Sequence, residues 1–295
     1  MSLNSIKVLV IGGAGFMGSH TADMLESSGY DVTIMDIVKS KWLRGGQKEI
    51  IGDINNQDNL VTAMEGMDYV YHFAGIADIA MASKNPFITI HSNIIGVTNV
   101  IEAAVKTKIK KIFYASTMYV YSTYGSFYRA SKQAGEIIIE AYSEKSNIEY
   151  VFLRYGSLYG PRAQNWNGIR DFANQIVKSG KVNFNGDGSE IREYIHVKDA
   201  AKLSVDVLEK DYSNCAITIT GQQTYKISDL LSILFEIAGK PKIINYQAKN
   251  GLNDHYGNTP YRYSPKTAKK IVPTEFVDLG QGLLELIEEV NNIDT

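Results

Sequence analysis

Residues 12–18 read Gly-Gly-Ala-Gly-Phe-Met-Gly and follow directly on an aliphatic run, Val8 to Ile11. A strand that breaks on glycines at 12, 15 and 18, then opens a helical pattern, constrains the fold more than any other feature. Gly12 permits a tight turn, Gly15 lets another group approach the backbone, and Gly18 lets helix and strand pack closely. The first half of the chain repeats the alternation. Short β-branched runs at 7–11, 31–35, 49–51, 69–73, 111–115 and 149–153 are separated by helical patterns at 16–27, 57–65, 87–106 and 127–143. In the last helix Ala134, Ile137, Ile138 and Ala141 are expected to form the buried stripe, with Gly135 as a weak spot. Six strands with crossover helices predict an α/β chain with a Rossmann-type, doubly wound parallel sheet.

After Arg154 the pattern changes. Residues 1–155 are expected to form the sheet domain, rejoined by 193–221 through a strand at 216–220. Residues 156–192, read as loop-rich, and 222–295 are expected to build a smaller α/β lobe. The latter includes a helix at 227–238, a strand at 242–246, a polar loop at 250–262 and a last helix at 280–290. Net charge is −2, so no global positive field points to nucleic acid or an anionic membrane. The single cysteine, Cys215, leaves no internal disulfide and suits a reducing cytoplasm. No 18-residue apolar stretch is expected to span a bilayer, and no His, Cys and carboxylate set has metal-ligand spacing.

The glycine turn ends at a helix N-terminus, whose free N–H groups and positive dipole end suit a pyrophosphate. Asp36 ends the second strand 18 residues after Gly18, where a carboxylate accepts from a ribose 2′-OH and repels a 2′-phosphate. Asp53 follows the third strand, within reach of an adenine edge. In register, the three features predict NAD. Lys39 and Lys41 nearby leave NADP as the weaker alternative.

Two Tyr–Lys pairs have the spacing i, i+4: Tyr128 with Lys132, and Tyr194 with Lys198. The first opens a helix, where such residues share a face. The second sits in a strand-like run that would separate the pair by roughly 13 Å. A tyrosine is a poor base at neutral pH unless a neighbouring ammonium and a positive nicotinamide favour its phenolate. Tyr128 therefore reads as a base for a substrate alcohol, with Lys132 also placed to hold the nicotinamide ribose. Thr117, at the carboxyl end of the fifth strand, can bridge the substrate oxygen and the Tyr128 phenol.

These motifs, together with His72-Phe73-Ala74-Gly75, Asn93, Gly96, Asn99, Leu153-Arg154-Tyr155, Tyr159-Gly160-Pro161-Arg162, Gly186-Asp187-Gly188 and 192–197, resemble the nucleotide-sugar epimerase/dehydratase group of the extended short-chain dehydrogenase/reductases. The resemblance runs over nearly the whole chain. It implies cofactor contacts at Gly12, Gly15, Phe16, Met17, Asp36, Asp53, Ile54, Phe73, Ala74, Gly75, Tyr128, Lys132 and Tyr155. It further implies a nucleoside-diphosphate sugar held by Thr117, Ser157, Arg162 and Arg192, and a homodimer formed through two helices per subunit. Arg192 would clamp the diphosphate with its bidentate guanidinium.

Departures from the group narrow the chemistry. Sugar 4,6-dehydratases carry an Asp-Glu pair after the catalytic Thr for proton transfer at C5 and C6, and the decarboxylases keep a Glu there. This chain has Met118 and Tyr119. That favours oxidation and reduction at C4, as in 4-epimerases. A nucleotide-sugar 4-dehydrogenase or reductase releasing a 4-keto sugar is the alternative, and a non-catalytic NAD-binding sensor a third. Tyr128 follows Thr117 by only 11 positions, which predicts a more open sugar pocket. Ser157 replaces the usual Asn, and the second diphosphate arginine expected near 253 is absent, leaving Arg162 or Arg262 to compensate. His20, His72, His91 and His196 read as structural, with His72 holding the cofactor loop; His255 and Tyr256 are minor candidates for touching a sugar.

Overall fold

The computed structural model describes residues 6–210, 212–247 and 255–261. The first half runs β1 (Lys7–Ile11), α1 (Phe16–Ser27), β2 (Asp31–Asp36), β3 (Lys48–Ile51), α2 (Gln57–Met64) and β4 (Tyr69–His72). It continues with α3 (Ile79–Lys84), α4 (Pro86–Ile90), a π-helical turn (His91–Ile95), α5 (Gly96–Lys106), β5 (Lys111–Thr117), a 3₁₀ turn (Met118–Tyr121) and α6 (Ser126–Lys145). Then come β6 (Glu149–Tyr155), β7 (Ser157–Tyr159), α7 (Gly168–Ser179), β8 (Val182–Asn185), β9 (Ile191–His196), α8 (Val197–Glu209), β10 (Cys215–Ile219), β11 (Thr224–Lys226), α9 (Ile227–Ile237) and β12 (Ile244–Gln247).

Seven strands form one parallel sheet in the order β10-β6-β5-β4-β1-β2-β3. The order reverses between β1 and β4, which opens the crevice where doubly wound sheets take ligands. The predicted strand at 216–220 does rejoin this sheet, one residue earlier, paired with β6. Both faces of the sheet are covered, which is why its strands are apolar throughout. On one side α1 and α8 bury Val8, Val10, Leu25, Ile34, Val151 and Val205; on the other α2, α5 and α6 bury Leu9, Ile11, Leu60, Val100, Ile112 and Ile139.

Three expectations need correction. The stripe Ala134/Ile137/Ile138/Ala141 faces the core only in part: Ile138 packs against it half-buried, but Ile137 is 64% exposed, Ala141 is exposed, and α6 buries Ser131, Lys132, Gly135, Glu136 and Ile139. Gly135 is required rather than weak, because a Cβ there would lie 2.4 Å from the Tyr114 hydroxyl. Pro86–Lys106 forms 21 continuous helical residues apolar enough to cross a membrane by length and composition. Its second half, with Val97, Val100, Ile101 and Ala104, is built into the core beneath the sheet. Residues 156–192 are not mainly loop. They contain α7, whose N–H at Arg170 is capped by the Asn167 side chain and whose C-terminus stops at left-handed Gly180.

A separate apolar cluster joins Ile176 of α7, Val182 and Phe184 of β8, and Ile227, Leu231 and Phe235 of α9. Beside it β9 pairs with β7 in parallel and with β11 antiparallel. Tyr194 therefore lies on a strand while Lys198 lies exposed on α8, so that Tyr–Lys pair is split between two elements. The helix expected at 280–290 and Arg262 lie outside the described residues.

Candidate active site

The cofactor end is built by backbone. Gly12 has φ +82°, and a Cβ on it would stand 2.5 Å from the Ala74 nitrogen; one on Gly18 would stand 2.1 Å from the Gly12 carbonyl oxygen. Only glycine lets β1, α1 and the 73–75 loop approach this closely. The N-terminus of α1 has neither a side-chain cap nor an acidic residue in its first turn. Its amides are left for an external anion. Asp36 accepts from the Ala14 nitrogen at 3.0 Å, which holds its carboxylate against the glycine turn. Asp53 is exposed, accepts from both nitrogens of Asn55, and precedes Ile54, whose carbonyl takes the Asn99 amide. A turn that excludes side chains, an uncapped helix and a carboxylate at the second strand fit a dinucleotide.

Across the crevice, Asn93 secures the third piece. Its Oδ1 accepts from Ile76 N–H at 2.7 Å, and its Nδ2 donates to Ile76 carbonyl at 2.9 Å and to Ser131 Oγ at 3.0 Å. One side chain on the π-helical turn thus ties the Phe73-Ala74-Gly75 segment to α6. π-Turns recur where a helix is adjusted to a site.

Thr117 ends β5, and Tyr128 and Lys132 stand one turn apart near the start of α6. The Thr117 hydroxyl is near enough to the Tyr128 phenol to favour its ionised form. Burial pushes that phenol up to about 12, and the Thr117 bond pulls the other way. Lys132 is buried, donates to Ala115 carbonyl at 2.8 Å and lies over the Tyr114 ring. Burial lowers its ammonium to about 8, while Glu136 one turn further along α6 supports the charge. Glu136 is itself buried, in a fork with Arg154 (2.9 and 2.6 Å) and a bond from Ser116 Oγ; Arg154 also donates to Tyr121. This network joins β5, β6, α6 and the 3₁₀ turn directly behind Thr117.

The predicted substrate residues divide. Arg192 of β9 reaches over the Tyr256 ring (5.7 Å), and its buried Nε has no partner among the described residues. Ser157 is near enough to the Tyr256 phenol to favour its ionised form. Tyr256, expected in a polar loop, is buried and packs on Tyr119 at 4.4 Å; Tyr119 stands edge-on to Tyr128 at 6.1 Å and bonds His255 Nδ1 at 2.6 Å. Beside the short 117–128 connection the two tyrosines therefore stand as an aromatic wall between Tyr128 and Arg192. Arg162 is elsewhere, ion-paired with Asp23 of α1 at 2.8 Å and stacked on Trp42. Tyr155 is a core residue, its hydroxyl 2.7 Å from Ser204 Oγ of α8 and its ring against Phe73. His20 bonds the Pro161 carbonyl and His196 accepts from Lys198 N–H, both structural roles.

His72 does not hold the cofactor loop through its ring. It is fully buried, neither nitrogen has a partner among the described residues, and burial, reinforced by Lys132, lowers it to about 3. The unfolded chain binds a proton here below its ordinary value near 6.5, and the folded chain does not until about 3. Stability is therefore complete above the unfolded value and is lost as pH falls. At about pH 4.5 this one residue should cost roughly 3 kcal/mol relative to pH 7. Urea unfolding at both pH values checks this, and His72→Gln should lose most of the difference.

Residues 8–219 match the model of the NAD dependent epimerase/dehydratase family. A protein named "Putative UDP-glucose 4-epimerase" from Methanocaldococcus jannaschii is 31% identical over 97% of this chain and 98% of its own length. The UDP-N-acetyl-alpha-D-glucosaminuronate decarboxylase of Bacillus cytotoxicus is 26% identical, covering 98% of each chain. The structure of Bacillus cereus UDP-glucuronic acid 4-epimerase, with UDP-glucuronic acid and NAD, aligns with a TM-score of 0.79 at 26% identity, over 89% of this chain and 95% of that one. One scaffold carries several reactions, so the choice among them rests on the site.

Proposed function

This chain belongs to the NAD dependent epimerase/dehydratase family, and from that premise we propose that it is a nucleotide-sugar 4-epimerase, acting by transient oxidation at C4. The observation that carries the reading is Thr117, Tyr128 and Lys132 drawn together while positions 118 and 119 hold Met118, fully buried, and Tyr119 in an aromatic cluster. No acid stands at those two positions to eliminate water across C5 and C6 or to assist a decarboxylation.

In this reading Gly12, Gly15, Phe16 and Met17 hold the pyrophosphate of NAD, Asp36 its adenosine ribose, Asp53 and Ile54 the adenine side, and Phe73, Ala74, Gly75 and Lys132 the nicotinamide end. NAD, when bound, would supply the acceptor of the C4 hydride, the source from which that hydride returns to the opposite face of C4, and a positive ring in its oxidised form. Tyr128 takes the proton of the C4 hydroxyl, with Thr117 sharing that hydrogen bond. Burial favours the neutral Tyr128 phenol; in this reading the Lys132 ammonium, one turn along α6, and the positive ring together offset that cost. The keto sugar turns over against Tyr119, and Tyr128 returns the proton to its oxygen. Arg192 and Ser157 hold the diphosphate meanwhile. The test is incubation of the NAD-loaded protein with UDP-glucose and UDP-galactose. Interconversion without net reduced cofactor supports the proposal; a keto sugar accumulating in step with reduced cofactor supports the 4-dehydrogenase instead.

The same reading includes a homodimer. Phe87 (79% exposed), Ile88, Ile95 and Ile137 point outward from α4, the π-helical turn and α6, helices that touch one another. A second copy of this surface covers it by two-fold symmetry. Light scattering should give twice the chain mass, and Phe87→Asp with Ile137→Asp should give the monomer; a wild-type monomer contradicts the dimer.

A further inference from the structure

Between the Tyr128 phenol and the Arg192 guanidinium the site is lined by aromatic rings. Tyr119 stands 6.1 Å from Tyr128, Tyr256 stands 4.4 Å from Tyr119, and Arg192 lies 5.7 Å from the Tyr256 ring. The same cluster is closed by Ile79 of α3. Tyr119 cannot swing aside easily. Its ring packs so closely on Gly125 that a Cβ there would lie 2.7 Å from it, its hydroxyl is fastened to His255, and its own N–H is capped by Thr117 Oγ. Burial holds the Tyr119 phenol well above its ordinary range and raises that of Tyr256, so the wall is neutral.

We infer that the Tyr119–Tyr256 wall sets the substrate class, admitting nucleoside-diphosphate sugars whose C5 substituent is uncharged and compact, and rejecting uronic acids. The inference rests on the nucleotide-sugar reading, in which C4 meets Tyr128 and the diphosphate meets Arg192. A sugar bridging those two groups lies along the wall. Tyr119 occupies the position that carries an acid acting at C5 and C6 in 4,6-dehydratases, so the wall faces that edge. A carboxylate there loses water to two aromatic rings and gains no cation from them, a desolvation that only a paired charge offsets. Arg192 borders the wall but is engaged at the diphosphate. A hydroxymethyl group or hydrogen at C5 lays its C–H surface on the rings instead.

Calorimetric binding of UDP-glucose, UDP-xylose and UDP-glucuronic acid to the NAD-loaded protein tests this independently of turnover. The expected result is a preference for the two neutral sugars of at least about a hundredfold. Tyr119→Phe keeps the wall and should keep that ratio, whereas Tyr119→Ala admits water and should reduce it at least tenfold. Equal or tighter binding of UDP-glucuronic acid by the wild type overturns the inference whatever the variants do. An unchanged ratio in a folded Tyr119→Ala overturns the assignment to Tyr119. Neutral-sugar preference without any epimer formed supports the wall and contradicts the 4-epimerase; failure of all three sugars to bind contradicts both.

Discussion

Tyr128→Phe should lower kcat for sugar interconversion about a thousandfold, within the range general acid–base groups supply, while leaving nucleotide-sugar binding nearly unchanged. The substitution deletes one oxygen and retains the ring that packs on Tyr119. Thr117 keeps the Tyr119 N–H on its Oγ, and no buried charge is stranded. An effect on KM alone would mean that the phenol binds the sugar without taking its proton. Steady-state kinetics of the NAD-loaded protein separate the two. Retained full activity would remove Tyr128 from the chemistry.

Glu136→Gln should have the largest effect on stability. The Glu136 carboxylate answers the Arg154 guanidinium on two atoms, both groups are largely buried, and the pair holds Arg154 above its ordinary range. Removing one partner leaves a desolvated charge, which costs about 3–5 kcal/mol, or about 10 °C in Tm for a chain of this size. Replacing both partners, Glu136→Leu with Arg154→Leu, should recover more than half of that loss. Thermal unfolding of the single and double variants measures it. A single variant within 1 °C of wild type would show that the pair is not under load.

The sequence was most informative where the physics is local. Val8 to Ile11 followed by Gly12 dictates a strand and a turn within ten residues, and the six predicted strands lie where the chain pairs them. Tyr128 and Lys132 could be joined because a helix fixes the spacing of i and i+4. Relations across the fold were less legible. Nothing near Tyr256 in the chain signals that it packs on Tyr119, more than a hundred residues earlier. Arg162 and Arg192 looked alike as charged residues beside turns, yet Asp23 and Trp42 draw one to α1 while β9 sends the other to the cluster. Ile137 misled for another reason. Its periodicity marks an apolar stripe correctly, but period alone does not distinguish a stripe that faces the core from one that lies at the exposed surface. Asn167 and Gly180, the cap and stop of α7, were available signals that a weak apolar pattern obscured.

The central claim is oxidation at C4 with cofactor and keto sugar both retained through the cycle. Its most direct test follows UDP-galactose labelled with deuterium at C4, incubated with the NAD-loaded protein and an excess of unlabelled NAD and NADH. The account predicts that the UDP-glucose formed keeps the deuterium at C4, with no label in the free cofactor. Loss of the label to the cofactor pool, or release of a 4-keto sugar, would contradict it.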